Sequence, residues 1–478
     1  MAQTAQLRRL EVVENEAQRI FTLQRQAYLS HPYPSLEERQ QHLTRLERVL
    51  VDNVDAIADA INQDFGHRSA EESKMLEIFS CVDGIRHTRK KLKKWMQPQR
   101  RHVSALFATA SNRVIPQPKG IVGIVSPWNY PLFLTISPLT SVLAAGNRAM
   151  VKMASNSQTL CRLLHEKIRA EFPEDTLAVL PGVRAQDFSN LPFDHIIFTG
   201  SADAGRTVMR SAAENLTPVT LELGGKSPTI ICDDFDVDEA ASRILYGKYI
   251  NAGQTCLAPD YLFVPAGKRD QFIDAAKRIM AQRYPDTNDR SYTSIIDEKS
   301  YRRLRATLED AQRKGAQVVP LVPGATFNDA LRKIPPHLVL DPTDDMTIMR
   351  EEIFGPLLPV KTYRDLDEVI TYVNAKDRPL GFYFFTNDKA REQQLLYRTI
   401  SGGVTINNVV LHVAQHDLPF GGIGASGMGQ YHGHEGFLEF SKLRPVFTTP
   451  RLSLLHFFYP PYTRRHSRML NLLLKFKR

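Results

Sequence analysis

Apolar residues in the first hundred positions recur at the spacing of amphipathic helices. A helix is predicted from about 35 to 50, because Ser35 and Glu38 have the spacing of a capping box and an apolar stripe follows them. The stripe consists of Leu43, Leu46, Val49 and Leu50. Further helices are predicted over 52–64 and 71–96, so this region is expected to be helical.

Residues 121–223 alternate between short apolar runs and helix-periodic stretches. Strands are predicted at 121–125, 148–152, 176–180, 195–199 and 219–223, and helices at 132–145, 156–170 and 203–213. This alternation is typical of an α/β fold with a parallel, doubly wound sheet, in which ligands bind at the carboxyl ends of the strands. A second α/β domain is predicted to follow, to about 405. Mixed polar and apolar residues predict a β-hairpin over 101–118.

The composition is that of an ordinary globular protein with two or three domains. The chain has 478 residues, of which 42% are hydrophobic and 24% charged. Its first residues lack the apolar core of a signal peptide, and no run approaches the about 18 apolar residues of a membrane span. The four cysteines are scattered without a Cys-x-x-Cys pair. We therefore expect no metal site and a reducing, cytoplasmic location.

The net charge of +9 belongs to the end of the chain. No Asp or Glu follows Glu439, whereas nine Lys or Arg residues do, so the body is nearly neutral and no nucleic-acid partner is expected. Residues 464–478 are basic and apolar in the middle, a pattern typical of an interfacial helix at an anionic membrane. The alternative is a tail that packs on the chain or on a partner, or that gates the site.

Cys256 stands among small and polar residues rather than within an apolar run. Gly253 allows a close approach of the backbone, and Pro259 prevents a long helix from continuing. A thiol on such a turn can point its own backbone N–H at the group that it attacks. The local sequence leaves open both a nucleophile and a partly buried structural cysteine, which is the usual role of a free thiol.

Glu222 is a second candidate for chemistry, because it lies between two leucines at the end of a predicted strand. Burial there raises the pKa of a carboxyl group and makes it a usable general base. The motif Glu-Leu-Gly-Gly beginning at Glu222 and the motif Gly-Gln-Thr-Cys ending at Cys256 closely resemble the aldehyde dehydrogenase superfamily. Three further motifs stand in the family's order: Ser-Pro-Trp-Asn ending at Asn129, Phe-Thr-Gly-Ser ending at Ser201, and Glu-Ile-Phe-Gly-Pro beginning at Glu352.

The resemblance implies roles for the residues that match these motifs. Cys256 is the expected nucleophile, and Asn129 with the Cys256 N–H is expected to form an oxyanion hole. Glu222 is the expected base that activates water. Glu352 is expected to hold the nicotinamide ribose, with Phe354 packed near the nicotinamide ring.

The remaining cofactor contacts are also implied by the resemblance. Lys152 is expected at the adenosine ribose, where the family's usual glutamate is replaced by Ser155; a missing carboxylate removes repulsion against a 2′-phosphate, so either NAD or NADP is expected. A helix that opens near Ser201 is expected to face the pyrophosphate. The other predicted cofactor-binding residues are Trp128, Gly200 and Gly205.

The function implied is the NAD(P)-dependent oxidation of an aldehyde to a carboxylic acid through a cysteine thiohemiacetal and thioester. The short N-terminus and the sequence around Cys256 are similar to the class 3 branch, which includes fatty and aromatic aldehyde enzymes. Residues Tyr459-Pro460-Pro461-Tyr462 are also similar to that branch and to the bacterial coniferyl aldehyde dehydrogenases, which predicts an aromatic substrate. Medium- or long-chain aliphatic aldehydes are the alternative. A CoA-acylating enzyme and a non-catalytic structural protein are disfavoured by the presence of Glu222, Asn129 and Cys256.

The same resemblance predicts the domain organisation and a homodimer. Residues 1–100 and 119–222 are expected to bind NAD(P), and 223–405 to form the catalytic domain. Residues 101–118 and 406–445 are expected to form a small β element used for bridging and oligomerisation, followed by the tail, 446–478.

Overall fold

The computed structural model describes the backbone of residues 2–104, 107–451 and 459–476, and the side chains of 16–104, 107–451 and 459–475. Two mainly parallel sheets, of six and seven strands, account for most strands, and a separate sheet has three strands. The predicted fold class, two doubly wound α/β units with a small β element, is confirmed.

The first part of the chain is helical, as predicted. It comprises α1 (Ala2–Ser30), α2 (Leu36–Val51), α3 (Val54–Phe65), α4 (Ala70–Glu72), a π-helical segment (Ser73–Phe79) and α5 (Ser80–Trp95). The capping box of α2 is confirmed, because the Ser35 hydroxyl accepts from the Glu38 N–H and the Ser35 N–H donates to the Glu38 carboxylate. The prediction of a continuous α-helix over 71–96 was wrong in one respect, because residues Ser73–Phe79 near its start form the wider π-helix. That widened turn contains the fully buried side chains of Ser73 and Glu77.

The six-stranded sheet has the doubly wound order. After β1 (Gln99–Arg101) and β2 (Ser111–Pro118) the chain forms β3 (Ile121–Ser126), α6 (Phe133–Ala144), β4 (Arg148–Met153), α7 (Gln158–Glu171), β5 (Leu177–Val179), α8 (Ala185–Ser189), β6 (His195–Thr199), α9 (Ala202–Ala213) and β7 (Val219–Glu222). The parallel strands lie in the order β7-β6-β3-β4-β5. Because the order reverses between β3 and β6, a crevice opens at their carboxyl ends.

The seven-stranded sheet carries the turn with Cys256. Its elements are β8 (Pro228–Ile231), α10 (Val237–Tyr249), a 3₁₀ turn (Ile250–Gly253), β9 (Tyr261–Pro265), α11 (Arg269–Arg283), α12 (Glu298–Arg313), β10 (Gln317–Pro320), β11 (His337–Leu340), α13 (Thr347–Arg350), β12 (Leu357–Tyr363), α14 (Leu366–Asn374), β13 (Gly381–Phe385), α15 (Lys389–Arg398) and β14 (Gly403–Ile406). The strand order is β10-β11-β12-β9-β8-β13-β14, and only β10 runs antiparallel to its neighbour. Cys256 therefore lies between α10 and β9.

The C-terminal elements return to the other two sheets. They are β15 (Gly427–Met428), α16 (Gly433–Glu439), β16 (Ser441–Thr448) and α17 (Arg464–Phe476). β15 pairs with the end of β7, so that Gly427 lies opposite Glu222. β1, β2 and β16 form the antiparallel three-stranded sheet, in which the predicted hairpin is present.

Two features concern the predicted tail. Residues 446–448 belong to β16, because Val446 and Phe447 pair with Arg113 and Asn112, so the strand extends three residues into the segment assigned to the tail. Among the described residues, none of the helices is both long enough and apolar enough to span a bilayer.

Candidate active site

The turn that carries Cys256 has an unusual backbone. Asn251, Ala252 and Gly253 follow one another with φ values of 51°, 52° and 76°. Left-handed conformations at non-glycine residues cost about 1–3 kcal/mol each. Gly253 is required for a second reason, because a Cβ at this position would overlap the carbonyl oxygen of Gly355.

Buried amide side chains stabilise this turn. The Asn251 Nδ2 donates to the backbone oxygens of Asn129 (2.9 Å) and Gln254 (3.2 Å). The Gln254 Nε2 donates to the oxygens of Asn251 and Ser294, both at 3.0 Å, and its Oε1 accepts from the Ile296 N–H at 2.9 Å. These bonds offset the backbone strain and fix the residues that precede Cys256.

One cavity brings together most of the predicted site residues. Cys256 is half-buried and opens into a space between the two large sheets, beside Glu222 and Asn129. The Asn129 side chain is buried, and its Nδ2 donates to the Gln254 oxygen at 3.1 Å. The other predicted residues in the cavity lining are Trp128, Gly200, Ser201, Glu352 and Phe354.

Glu222 is the last residue of β7 and is 2% exposed. Neither of its carboxylate oxygens has a hydrogen-bond partner among the described residues. Burial raises the pKa of this carboxyl group well above its ordinary value, and the charge of Glu439 adds to the shift. A buried carboxyl group with both oxygens unpaired and a raised pKa has the properties of a general base.

Glu352 is the second acid of the cavity. Its carboxylate lies against Gly224, where a Cβ would overlap it, and its buried Oε1 has no hydrogen-bond partner in the part of the chain that the structure describes. Burial raises the pKa of Glu352 to about 8, and the charge of Asp260 contributes. Asp260 is in turn fixed by an ion pair with Lys226 and by the Ile353 N–H at 2.9 Å.

The thiol of Cys256 is strongly affected by these surroundings. Burial raises its pKa to about 12, and the charges of Glu352 and Glu222 contribute in that order. The resting group at neutral pH is therefore the thiol rather than the thiolate. Because like charges repel one another in a buried site, a negative charge on any one of these three groups disfavours a negative charge on the other two.

The crevice of the six-stranded sheet has the features of a dinucleotide site. Ser201 caps the N-terminus of α9, where its hydroxyl accepts from the Ala204 N–H at 3.4 Å. Gly200 and Gly205 permit close packing, since a Cβ at either would overlap the side chain of Phe198 or Leu223, respectively. The helix N-terminus suits a pyrophosphate, and the unpaired Glu352 oxygen is an acceptor for a ribose hydroxyl. The residues present therefore fit NAD or NADP.

Lys152 and Ser155 lie apart from the cavity, at the carboxyl end of β4. The Lys152 Nζ donates to the Met153 oxygen at 3.1 Å, and burial lowers the pKa of this lysine. Ser155 is exposed. Both positions are in the same crevice as the N-terminus of α9, because β4 and β6 flank β3.

Two aromatic rings form a wall of the cavity. Trp128 follows β3, and Phe354 precedes β12; their ring centroids are 5.4 Å apart in an edge-to-face arrangement. Phe354 has a φ of 48°, in the left-handed region that non-glycine residues rarely adopt. Phe65 packs on the other side of Trp128 at 6.1 Å. These edge-to-face contacts stabilise the position of the Trp128 ring in the cavity wall.

A second, apolar cavity reaches Cys256 from the opposite side. It shares only Leu134, Cys256 and Phe420 with the first cavity. The remaining lining is mostly apolar and aromatic: Leu76, Ser80, Tyr130, Phe133, Tyr246, Ile250, Thr255, Leu257, Val410, Leu411, Val413 and Ala414. The thiol thus stands between a polar chamber with two carboxyl groups and an apolar chamber.

Several residues of the site were not predicted. Asn251 and Gln254 lie in the stretch singled out for Cys256, but nothing in the sequence indicates which atoms they contact. Phe420 belongs to a glycine-rich segment whose position beside Glu222 depends on the pairing of β15 with β7. Tyr246 lies ten residues before Cys256, on α10, and faces the apolar chamber only because the chain reverses at the strained turn.

Comparison with known proteins identifies relatives over nearly the whole chain. Residues 11–446 match the aldehyde dehydrogenase family. A probable coniferyl aldehyde dehydrogenase of Pseudomonas aeruginosa is 48% identical, over 97% of each chain. The coniferyl aldehyde dehydrogenase of Pseudomonas sp. strain HR199 is 45% identical, over 88% of each chain. A dimeric, NADP-preferring aldehyde dehydrogenase of Canis lupus familiaris is 34% identical, over 91% of this chain and 96% of that one.

Solved structures have the same fold. The substrate-bound state of Staphylococcus aureus AldH has a TM-score of 0.89 and 33% identity, and covers 95% of this chain and 99% of that chain. The NAD⁺ complex of an aldehyde dehydrogenase from Bacillus cereus has a TM-score of 0.83 and 26% identity, and covers 91% of this chain and 89% of that chain.

The doubly wound sheet and the cavity that it shares with the second domain define a dinucleotide-dependent oxidoreductase. The chain belongs to the aldehyde dehydrogenase family. It is an NAD(P)-dependent enzyme that oxidises aldehydes.

The raised pKa of Cys256 predicts how the free enzyme reacts with iodoacetamide. The rate constant of alkylation should rise about tenfold per pH unit from pH 6 to 9 without a plateau, because only the thiolate reacts. Glu352→Gln removes the negative charge that this carboxyl group carries above about pH 8, so it should raise the rate at pH 9 and leave the rate at pH 6 nearly unchanged. The exposed neighbour provides the matched control, Glu351→Gln, which should leave the profile unchanged. Mass spectrometry assigns the label to Cys256, and a plateau below pH 7.5 would contradict this description.

Proposed function

We propose that this enzyme oxidises an aromatic, coniferyl-type aldehyde to its carboxylic acid, with Cys256 as nucleophile and Glu222 as general base. The observation that carries the proposal is the apolar chamber, which meets the polar chamber at Cys256. Rings of Tyr130, Phe133 and Phe420 line this chamber and favour a planar aromatic substrate. The names of the relatives that are 45% and 48% identical support the same substrate class.

A medium- or long-chain aliphatic aldehyde is the second candidate. The chamber also contains Leu76, Val410 and Val413, which suit an alkyl chain as well as a ring. The aromatic proposal is preferred because several ring faces surround the space next to the thiol.

The first chemical step forms a bond between Cys256 and the carbonyl carbon. Because the resting group is a thiol, its proton must leave as the bond forms, and it passes to solvent in the cavity into which Cys256 opens. The Asn129 amide and the Cys256 N–H stabilise the oxyanion of the thiohemiacetal. NAD(P), when bound, supplies the hydride acceptor whose action leaves a thioester on Cys256.

Hydrolysis of the thioester completes the reaction. Glu222 removes a proton from water as the water oxygen attacks the acyl carbon, and the same oxyanion hole accepts the developing charge. The acid then leaves as Glu222 returns this proton to the Cys256 sulfur, which regenerates the thiol and the carboxylate. A base placed for water favours hydrolysis over release of the acyl group to CoA.

The cofactor contacts favour use of both NAD and NADP. Lys152 would bond the adenosine ribose, and Ser155 at the neighbouring position carries no charge that repels a 2′-phosphate. Glu352 would hold the nicotinamide ribose, and Gly200 and Ser201 at the start of α9 would face the pyrophosphate. Trp128 and Phe354 would enclose the nicotinamide, while Gly205 permits the helix to pack beneath it.

The enzyme is proposed to be a cytoplasmic homodimer. β16 and β14 are edge strands of two different sheets, and β16 exposes Leu443 and Phe447. Unpaired edges of this kind are suited to pairing with a second copy. The four free cysteines fit a reducing compartment.

α17 is proposed to contact anionic membranes from the cytoplasmic side. Leu470, Leu472 and Leu474 are 47%, 55% and 67% exposed, although burial of leucine is favourable. Arg464, Arg468 and Lys475 add positive charge without any acidic residue in the helix. A short helix with exposed leucines and an excess of cations fits the boundary between head groups and acyl chains.

The substrate assignment predicts the outcome of a panel assay. Purified enzyme with coniferaldehyde, benzaldehyde, hexanal and a long-chain aldehyde should show the highest kcat/KM for coniferaldehyde, with either NAD or NADP, followed at the absorbance of the reduced nicotinamide. Cys256→Ser should abolish turnover, because a hydroxyl group is a poor nucleophile near neutral pH. Added CoA should change neither the rate nor the product.

The controls separate the candidates. Cys232→Ser removes a buried thiol remote from both chambers and should retain activity. A preference for hexanal or the long-chain aldehyde would favour the aliphatic candidate and contradict the aromatic one. Turnover that depends on CoA would contradict hydrolysis.

The membrane proposal predicts selective co-sedimentation. Full-length enzyme should sediment with anionic vesicles, and a chain that ends at Tyr462 should not; high salt should weaken the binding, because the attraction is partly electrostatic. The matched control, Leu472→Ser with Leu473→Ser, retains every charge and should also lose binding. Equal sedimentation of full-length and truncated enzyme would contradict membrane contact. Loss of activity toward long aldehydes alone would instead indicate a gate.

A further inference from the structure

We infer that Arg68 is a positioning residue for the oxyanion hole and acts through the backbone of Asn129. This inference rests on the proposed role of Asn129. Arg68 lies between α3 and α4, far from Cys256 in sequence, and belongs to none of the motifs identified above. Arg68 lines neither cavity, so its effect must be transmitted through the loop that carries Asn129.

Arg68 forms a completely buried ion pair. Its NH1 atom lies 2.8 Å from the Glu77 Oε1, and both side chains have no solvent exposure. Glu77 comes from the π-helical segment, whose wider turn directs it inward. A buried ion pair is costly to desolvate, and separating its two partners is costlier still, because each would be left as an uncompensated buried charge. The Arg68 and Glu77 side chains are therefore held strongly in place.

The pair holds both ends of one loop. The Arg68 NH1 donates to the Asn129 carbonyl oxygen at 2.9 Å. The Glu77 Oε2 accepts from the N–H groups of Leu132 and Phe133, at 2.8 and 3.1 Å. The segment from 129 to 133 is therefore fixed at its start by the cation and at its end by the anion. Charge-assisted bonds of this kind are stronger than bonds between neutral groups.

The guanidinium also lies between two aromatic rings. The Arg68 Cζ is 4.9 Å from the ring centroids of both Phe65 and Tyr130. The Tyr130 hydroxyl in turn bonds the Thr255 hydroxyl at 2.8 Å, next to Cys256. Only a planar cation can stack in this space while it donates to a carbonyl in its plane, so lysine is a poor substitute.

These contacts converge on the Asn129 amide. The Asn129 carbonyl accepts from Arg68 and from Asn251, while its side chain donates to the Gln254 oxygen. Arg68 thus links the Asn129 loop to the Cys256 turn. A displacement of about 1 Å in a catalytic group can lower a rate about a hundredfold.

A double-mutant cycle with Asn129 tests the inference. Arg68→Lys keeps the charge beside Glu77. Arg68→Met with Glu77→Gln removes both charges of the pair, so that Glu77 is not left as an unpaired carboxylate, while Glu72, whose pKa burial raises and the charge of Arg68 lowers, is retained. We expect kcat for coniferaldehyde to fall about tenfold in the first variant and about a hundredfold in the second, with little change in KM. Asn129→Ala alone should lower kcat about a hundredfold or more. In the Asn129→Ala background, both Arg68 changes should alter kcat less than twofold.

Arg39 provides the matched structural control. It is also a buried arginine that donates to backbone carbonyls, those of Pro34 and Ala144, but it is remote from both chambers. Arg39→Lys should lower the melting temperature as Arg68→Lys does, with kcat unchanged.

The outcomes distinguish the positioning role of Arg68 from the proposed oxyanion hole at Asn129. Arg68 effects that multiply with Asn129→Ala, or a loss of stability with unchanged kcat, would overturn the positioning role alone. An unchanged kcat in Asn129→Ala would overturn the proposed oxyanion hole and, with it, the role of Arg68.

Discussion

The burial of three acidic groups in one cavity is the constraint on which the site depends. Cys256, Glu222 and Glu352 each have a raised pKa, and desolvation is the largest cause in every case. Such groups cannot all be charged at once, so a proton that leaves one must be accepted by another or by solvent. The cavity therefore favours a neutral thiol on Cys256 at rest, which loses its proton only as the substrate reacts.

Two separate segments of the chain hold Glu222 and Cys256 in place. Glu222 is the last residue of β7 in the six-stranded sheet, and Cys256 follows a turn with three left-handed residues that precedes β9 of the seven-stranded sheet. The turn is strained, and its strain is offset by the buried amides of Asn251 and Gln254. The same turn places Cys256, which lines both the polar and the apolar chamber.

The sequence predicted the positions of the site residues best where those residues lie at the ends of strands. The strand ends at 126, 153, 199 and 222 were placed to within a residue by alternating patterns, and the motifs beside them fall in one crevice. The π-helical segment was not predictable, because its widened turn depends on burying Glu77 against a loop more than fifty residues away. The apolar chamber was likewise beyond local patterns, since Leu76, Tyr246 and Val410 meet there only in the folded chain.

The proposed role of Glu222 is to activate the water that hydrolyses a thioester formed on Cys256, and trapping that thioester tests this role most directly. Glu222→Gln keeps the shape of the side chain but removes its basicity, so rapid mixing with coniferaldehyde and NAD should release about one equivalent of reduced cofactor and then stop. Intact-mass analysis should find the coniferyl acyl group on Cys256. Full steady-state turnover by this variant, or a burst without an acyl-enzyme, would contradict the account.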